Sequence, residues 1–151
     1  MVAGAAMNAD ASHWTQPDPG SAQRAMETAG VALDDVGYVN AHGTGTPLND
    51  PMEAQAIAAA FGARRPAVSS TKGAHGHALG ASGAIEAVAT VLALERGVLP
   101  PVANFTELDP ACAMIDVITT AREQRVKAAL SNSFAFGGLN CVVAFRSPDS
   151  L

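Results

Sequence analysis

Val68-Ser-Ser-Thr-Lys-Gly-Ala-His-Gly-His-Ala-Leu-Gly-Ala-Ser-Gly83 gathers one lysine, two histidines and four glycines into sixteen residues of a chain that is only 15% charged. Before it, Pro66 to Ser70 reads as a short strand. After it, a helix is expected from Ala81 to about Arg96, with Ile85, Val88, Ala89, Leu92 and Leu94 suited to near-complete burial. Gly97 stops that helix and Pro100-Pro101 prevents its return. The order is therefore strand, ionisable loop, buried helix. In layered α/β proteins, loops leaving strand ends are where sites assemble.

The same pattern repeats on either side. Val2 to Met7 is a candidate strand, and His13 to Gly20 reads as a loop. Ser21 is placed to cap a helix through Thr28, stopped by Gly30. Val36 to Ala41 reads as a buried strand, and His42 to Asn49 has too many breakers to be anything but a loop. Asp50 is placed to cap the next helix, with Pro51 at its first position and Glu53 at its third, running to Phe61 and Gly62. Downstream, Met114 to Thr119, Ala128 to Phe134 and Asn140 to Arg146 read as strands. Phe134-Ala-Phe-Gly-Gly138 forms a turn before the last. Strands alternate with helices first and cluster at the end, which predicts an α/β domain with a mixed sheet.

Composition bounds the function. The chain has 151 residues, enough for one core, and is 48% hydrophobic but only 5% aromatic. A net charge of −5 and the lack of a basic stripe argue against nucleic acid as partner. The first residues lack the basic start and apolar run of a signal peptide. No uninterrupted apolar stretch reaches membrane-spanning length. Cys112 and Cys141 make neither a disulfide framework nor a metal motif. A cytoplasmic setting is expected.

Three loops carry the candidate chemistry: Asn40-Ala-His42-Gly-Thr44-Gly-Thr46, Ser70-Thr-Lys72-Gly-Ala-His75-Gly-His77, and Asn132-Ser-Phe-Ala-Phe136-Gly-Gly-Leu-Asn140. Each residue alone also has a plain structural reading. His42 suits a hydrogen-bonded histidine after a strand, Lys72 a solvated loop lysine, Gly137-Gly138 a turn and Phe136 a core aromatic. The Gly73–Gly83 region lacks the ending of a phosphate-binding loop. His75 and His77 have no cysteine or carboxylate nearby in sequence to make a zinc site.

Taken together, the three strings resemble the C-terminal half of a β-ketoacyl synthase, the condensing enzymes of fatty-acid and polyketide synthesis. The matching wording is Asn40-Ala-His-Gly-Thr-Gly-Thr46, Ser69-Ser-Thr-Lys72 with Gly76-His-x-x-Gly-Ala-x-Gly83, and Asn132-Ser-Phe-x-Phe-Gly-Gly-x-Asn140. The resemblance covers nearly the whole chain, starting in the Met7–His13 segment. Thiolases share a similar glycine-histidine string, but not the His-Gly-Thr-Gly-Thr or the Ser-Thr-Lys. The fold the resemblance implies is α/β, half of a thiolase-like layered αβαβα arrangement with a mixed sheet and flanking helices.

The resemblance implies roles. His42 and His77 stand where two neutral imidazoles stabilise the enolate formed when a malonyl thioester loses carbon dioxide. Lys72 stands at the family's active-site lysine, and Glu53 at the glutamate expected to pair with it. The plain reading of Glu53 is a first-turn capping residue. Thr44 and Thr46 match threonines that hold the phosphopantetheine arm. Phe136 matches a gating phenylalanine whose backbone N–H joins an oxyanion hole. His75 lies outside the matched positions. No metal or bound organic cofactor is expected, because phosphopantetheine arrives on the acyl carrier protein.

The family's nucleophilic cysteine belongs to the N-terminal half, which is absent here. Cys112 and Cys141 are not at matched positions and read as structural. The expectation is therefore a chain that condenses only with a cysteine-bearing partner half, as a natural split or as a piece of a longer protein. A hetero-oligomer follows, with two copies of each part if the family's dimerisation applies. A non-catalytic module that binds carrier protein or regulates a synthase is the alternative, and a thiolase-like acyl-coenzyme A enzyme a third. Two departures stand out: Ala135 replaces a usual glycine and Leu139 a usual threonine. The extra methyl at Ala135 is expected to stiffen the gating loop or to demand another backbone angle.

Overall fold

The computed structural model describes residues 1–11, 13 and 17–148. The expected loop from His13 to Gly20 falls partly outside those residues. In chain order the elements are β1 (Val2–Ala9), α1 (Pro19–Glu27), β2 (Val36–Asn40), α2 (Asn49–Phe61), β3 (Ala67–Ser69) and α3 (Lys72–His75). There follow α4 (Ser82–Arg96), β4 (Val98–Leu99), β5 (Asp116–Val117), β6 (Arg122–Glu123), β7 (Ala128–Ala135) and β8 (Leu139–Arg146).

Six strands form one mixed sheet in the order β1-β8-β7-β2-β3-β5. The pairs β7–β2, β2–β3 and β3–β5 are parallel, and β1–β8 and β8–β7 are antiparallel. β4 and β6 make a separate antiparallel ladder. Period-two alternation sorts the strand residues onto two cores. Val39, Val68, Leu130 and Val142 meet Met26 of α1 and Ile57 and Phe61 of α2. Tyr38, Ala67, Ala129 and Phe145 meet Ala93 and Leu94 of α4. The expected α/β fold with a mixed sheet and flanking helices is what the chain adopts.

Several boundaries differ from expectation, each for a local reason. α1 starts at Pro19, capped by Asp18 rather than Ser21. The Asp18 carboxylate accepts from the N–H groups of Gly20 at 3.2 Å and Ser21 at 3.0 Å, and Pro19 needs no donor there. α2 starts at Asn49, whose N–H donates to Thr46 Oγ1 at 3.2 Å. Asp50 does not cap it; its Oδ1 accepts from Gly45 N–H at 3.2 Å and so braces the loop. The loop after β3 contains a helical turn, α3, that its glycines masked.

The largest correction concerns α4. Its sheet-facing side is Ser82, Glu86, Thr90, Ala93 and Leu94, whereas Ile85, Val88, Val91 and Leu92 are exposed. Val88 is 60% exposed. The polar groups point inward and the apolar stripe outward, the reverse of an ordinary surface helix.

Candidate functional site

β2, β3 and β7 run parallel, so their C-terminal ends open onto one edge of the sheet. Each releases one of the three loops singled out in the sequence. His42 follows β2, Lys72 follows β3, and Asn132 and Phe134 lie near the end of β7. His42 and Lys72 are both 7% exposed. Ala41 N–H still reaches Ser69 O at 2.8 Å, so His42 is the first residue beyond the ladder.

Lys72 and His42 meet directly. The Lys72 ammonium donates to His42 O at 2.6 Å, lies 3.2 Å from His42 Nδ1, and pairs with the Glu86 carboxylate. An ammonium has no acceptor capacity, so Nδ1 of His42 must accept and its proton sits on Nε2. Burial chiefly, then the charge of Lys72 and the neighbouring His77, lowers the His42 pKa to about 3. His42 is therefore a neutral imidazole with one outward N–H.

His77 presents the same tautomer by another route. Its Nδ1 accepts from Leu79 N–H at 3.2 Å and lies 3.0 Å from Ser82 Oγ, leaving the hydrogen on Nε2. The two imidazoles stand edge-on, with centroids 5.4 Å apart and planes at 86°. Phe134 closes the other side of His42 at 6.1 Å. Two neutral N–H donors are thus brought together beside a fixed positive charge.

The expected pairing of Lys72 with Glu53 is not what the chain does. Glu53 comes from α2 on one face of the sheet, while Glu86 comes from α4 on the other. Glu53 is 2% exposed and receives N–H groups from three segments. His42 N–H and Gly43 N–H each donate to it at 2.9 Å, Asn132 Nδ2 at 3.0 Å and Asn49 Nδ2 at 3.3 Å. Burial pushes its carboxyl upward, and these donors pull it back. It is not a capping residue of its own helix. Its function in the fold is to hold the His42 loop against β7.

Glu86 is the residue the sequence reading missed. A signal was present: Ser82, Glu86 and Thr90 recur every four residues within an apolar helix, which marks one polar face. Asn40 belongs to the same layer, its amide donating to Glu86 O and Thr90 Oγ1, each at 3.2 Å. Asn40 Oδ1, Asn132 Oδ1 and Glu86 Oε2 are buried acceptors with no protein partner among the described residues.

A cleft of about 580 Å³ opens beside the pair. Thr44, Thr46, Lys72, His77, Phe105 and Cys112 are among the residues that line it. Thr44 is half-buried and Thr46 exposed, and their hydroxyls lie 2.9 Å apart. Gly43, at φ 42°, is required here: a Cβ on it would come within 2.5 Å of Ser70 Cβ. Cys112 is buried, and burial with Asp109, Asp50 and Glu53 nearby pushes its thiol up. An unreactive thiol fits the structural reading of this cysteine.

Phe136 is not among the residues lining the cleft. It is 84% exposed, at the tip of the turn joining β7 to β8. The turn is fastened at its base, where Asp10 N–H donates to Gly138 O at 2.8 Å. Asn140 Nδ2 reaches Asp10 Oδ1 at 2.5 Å and Asn8 Oδ1 at 3.1 Å. Ala135 pairs with Leu139 as the last rung of the ladder and has no positive φ. Its methyl therefore demands no unusual backbone angle.

This fold, a mixed sheet with helices on both faces, defines a domain of the thiolase-like class. The family model "Beta-ketoacyl synthase, C-terminal domain" matches residues 1–106, and the chain belongs to that family. Nodulation protein E of Rhizobium sp. (strain N33) is 47% identical over 151 residues, covering 96% of this chain and 38% of the relative. The 3-oxoacyl-[acyl-carrier-protein] synthase 2 of Coxiella burnetii (strain RSA 493 / Nine Mile phase I) is 44% identical over 147 residues, covering 92% of this chain and 36% of the relative. A solved type II PKS acyl-carrier protein in complex with its ketosynthase aligns with TM-score 0.91 at 31% identity, covering 97% of this chain and 38% of that one. The chain thus spans under two-fifths of the length of these relatives. Among the described residues, no helix is long and apolar enough to cross a membrane.

Proposed function

We propose that this chain supplies the malonyl-activating side of a β-ketoacyl-[acyl carrier protein] synthase and condenses acyl and malonyl thioesters together with a cysteine-bearing half. The observation that carries the reading is the His42–His77 pair, two neutral Nε2–H donors edge-on to one another beside Lys72.

The chemistry follows from charge. When malonyl thioester loses carbon dioxide, the electron pair of the broken C–C bond moves into the thioester carbonyl and makes an enolate. Two N–H groups aimed at that oxygen stabilise it more than the neutral ground state. The neutral state of both imidazoles matters, because an imidazolium would bind the malonyl carboxylate and oppose its loss. Lys72 holds His42 in the donating tautomer and adds positive potential. Thr44 and Thr46 offer hydroxyls along the cleft to a pantetheine arm. Phe136 acts as a hinged tip over the acyl site, and its N–H joins the oxyanion hole of the partner's cysteine. Phosphopantetheine comes with the carrier protein, so the reading adds no cofactor of the chain's own.

The exposed stripe of α4 supports the partner half. Ile85, Val88 and Leu92 are 39%, 60% and 36% exposed, so burying what remains open would contribute roughly 1 kcal/mol each, a drive for association on that face. The alternative, a carrier-binding module without catalysis, keeps the cleft and gives up the imidazoles' role. The test is release of labelled carbon dioxide from malonyl carrier protein by the complemented complex. His42→Ala is expected to lower it by about a hundredfold or more, the range for losing one oxyanion donor. Unchanged release would remove His42 from the mechanism and favour the module.

A further inference from the structure

His75 stands in the middle of the segment yet outside every matched position. It is exposed, but both ring nitrogens are engaged. Nδ1 lies 2.7 Å from Gly76 O and Nε2 3.1 Å from Thr71 Oγ1. A carbonyl only accepts, so Nδ1 carries a hydrogen. Thr71 and Gly76 are the two caps of α3, so one imidazole spans the whole turn.

Within the turn, Gly76 N–H donates to Lys72 O at 2.8 Å and Ala74 N–H to Thr71 O at 3.0 Å. At four residues it is far below the length at which a helix persists unaided. Its middle is anchored from outside: Asn104 Nδ2 donates to Gly73 O at 3.1 Å, and a Cβ on Gly73 would meet Ala103 O at 2.7 Å. Its start carries Lys72, against His42 and Glu86. Its end passes through Gly76, at φ 78° and ψ 175°, a conformation essentially reserved for glycine, directly into His77.

We propose that His75 is a positioning residue that clamps both ends of α3, so that Lys72 and His77 are presented to His42 from one rigid turn. The geometry stands by itself; the consequence for catalysis rests on the function proposed above. Losing the clamp leaves Gly73 anchored and Lys72 paired, so the turn should stay in place while its end loosens. His77, reached through a glycine and held at Nδ1 and by its edge contact with His42, is the group that moves.

The test reads the clamp and the chemistry separately. The chain is labelled with ¹⁵N in its histidine rings, as wild type, His75→Ala, His75→Asn and His77→Ala. His77→Ala assigns the His77 resonances. In wild type these are expected to show a protonated Nε2 and an accepting Nδ1. In His75→Ala they should shift toward tautomer averaging, with the circular dichroism of the chain retained. His75→Asn, which restores a donor near Gly76 O, should bring them back. In the complemented complex, kcat for carbon dioxide release should fall about tenfold or more in His75→Ala, with KM within about twofold. Unmoved His77 resonances in both His75 variants would overturn the clamp. A shifted spectrum with release unaffected by both His75→Ala and His77→Ala would keep the clamp and overturn the function proposed for His77. If His75→Ala does not fold, His75→Leu, which fills the space without a donor, takes its place: averaged His77 resonances uphold the clamp and wild-type ones overturn it.

Discussion

His42 owes its usefulness to a balance that can be titrated. Burial, Lys72 and His77 together hold its pKa near 3, well below the usual 6.5. A base with a lowered folded pKa binds fewer protons folded than unfolded between those values. Stability from this group is therefore full above pH 6.5 and declines as pH falls toward 3. The midpoint of thermal unfolding should drop between pH 7 and pH 4, and the drop should be smaller in His42→Asn. Equal slopes in both proteins would mean that His42 is not held neutral. The residue scale also shows why pairing was hard to read from sequence. His42, Lys72 and His77 were legible because the three strings that carry them together resemble a known family, each residue alone having a plain structural reading. Which glutamate meets Lys72 was not. Glu53 and Glu86 lie in helices on opposite faces of the sheet, and only the crossing of β2, β3 and α4 puts Glu86 at the ammonium.

At the scale of elements, strands and helices followed from alternation and from glycine and proline, while their first residues did not. Caps depend on which side chain turns back to the backbone, and neighbouring candidates compete. Asp18 has two N–H donors where Ser21 was expected to act, and Asp50 serves a loop rather than a helix. Asp18→Ala should therefore cost about 1 kcal/mol in chemical denaturation. Asp50→Ala should cost no more than a few tenths, as for a contact at the surface. A reversed order of the two would restore the boundaries expected from the sequence. α4 was misread for a different reason. Its composition is apolar enough to suggest burial all round, and hydrophobicity does not say which face has something to pack against. The polar spacing of Ser82, Glu86 and Thr90 was the clue, because buried polar groups need partners that a sheet edge can supply.

For the whole molecule, the inverted helix gives a sharp expectation. Met7 and Phe136 add exposed apolar surface, at 76% and 84% exposure, to that of α4. Val88→Asp places a charge on the stripe without touching the two cores. It should leave the unfolding transition of the chain within about 0.5 kcal/mol and abolish assembly with a cysteine-bearing half in native mass measurements. Assembly that survives the substitution would move the partner face away from α4.

The contrast between Glu53 and His77 has a further consequence. Glu53 ties the β2 loop, the start of α2 and β7 into one buried knot, so its loss would cost the fold. His77 is exposed, hangs on two local contacts, and supports little besides itself. Between these two, support of the fold and the outward N–H are carried by different side chains, whereas the buried His42 and Lys72 serve both. On the function proposed above, a single codon change at position 77 would remove one of the two N–H donors while leaving the buried supports of the cleft in place.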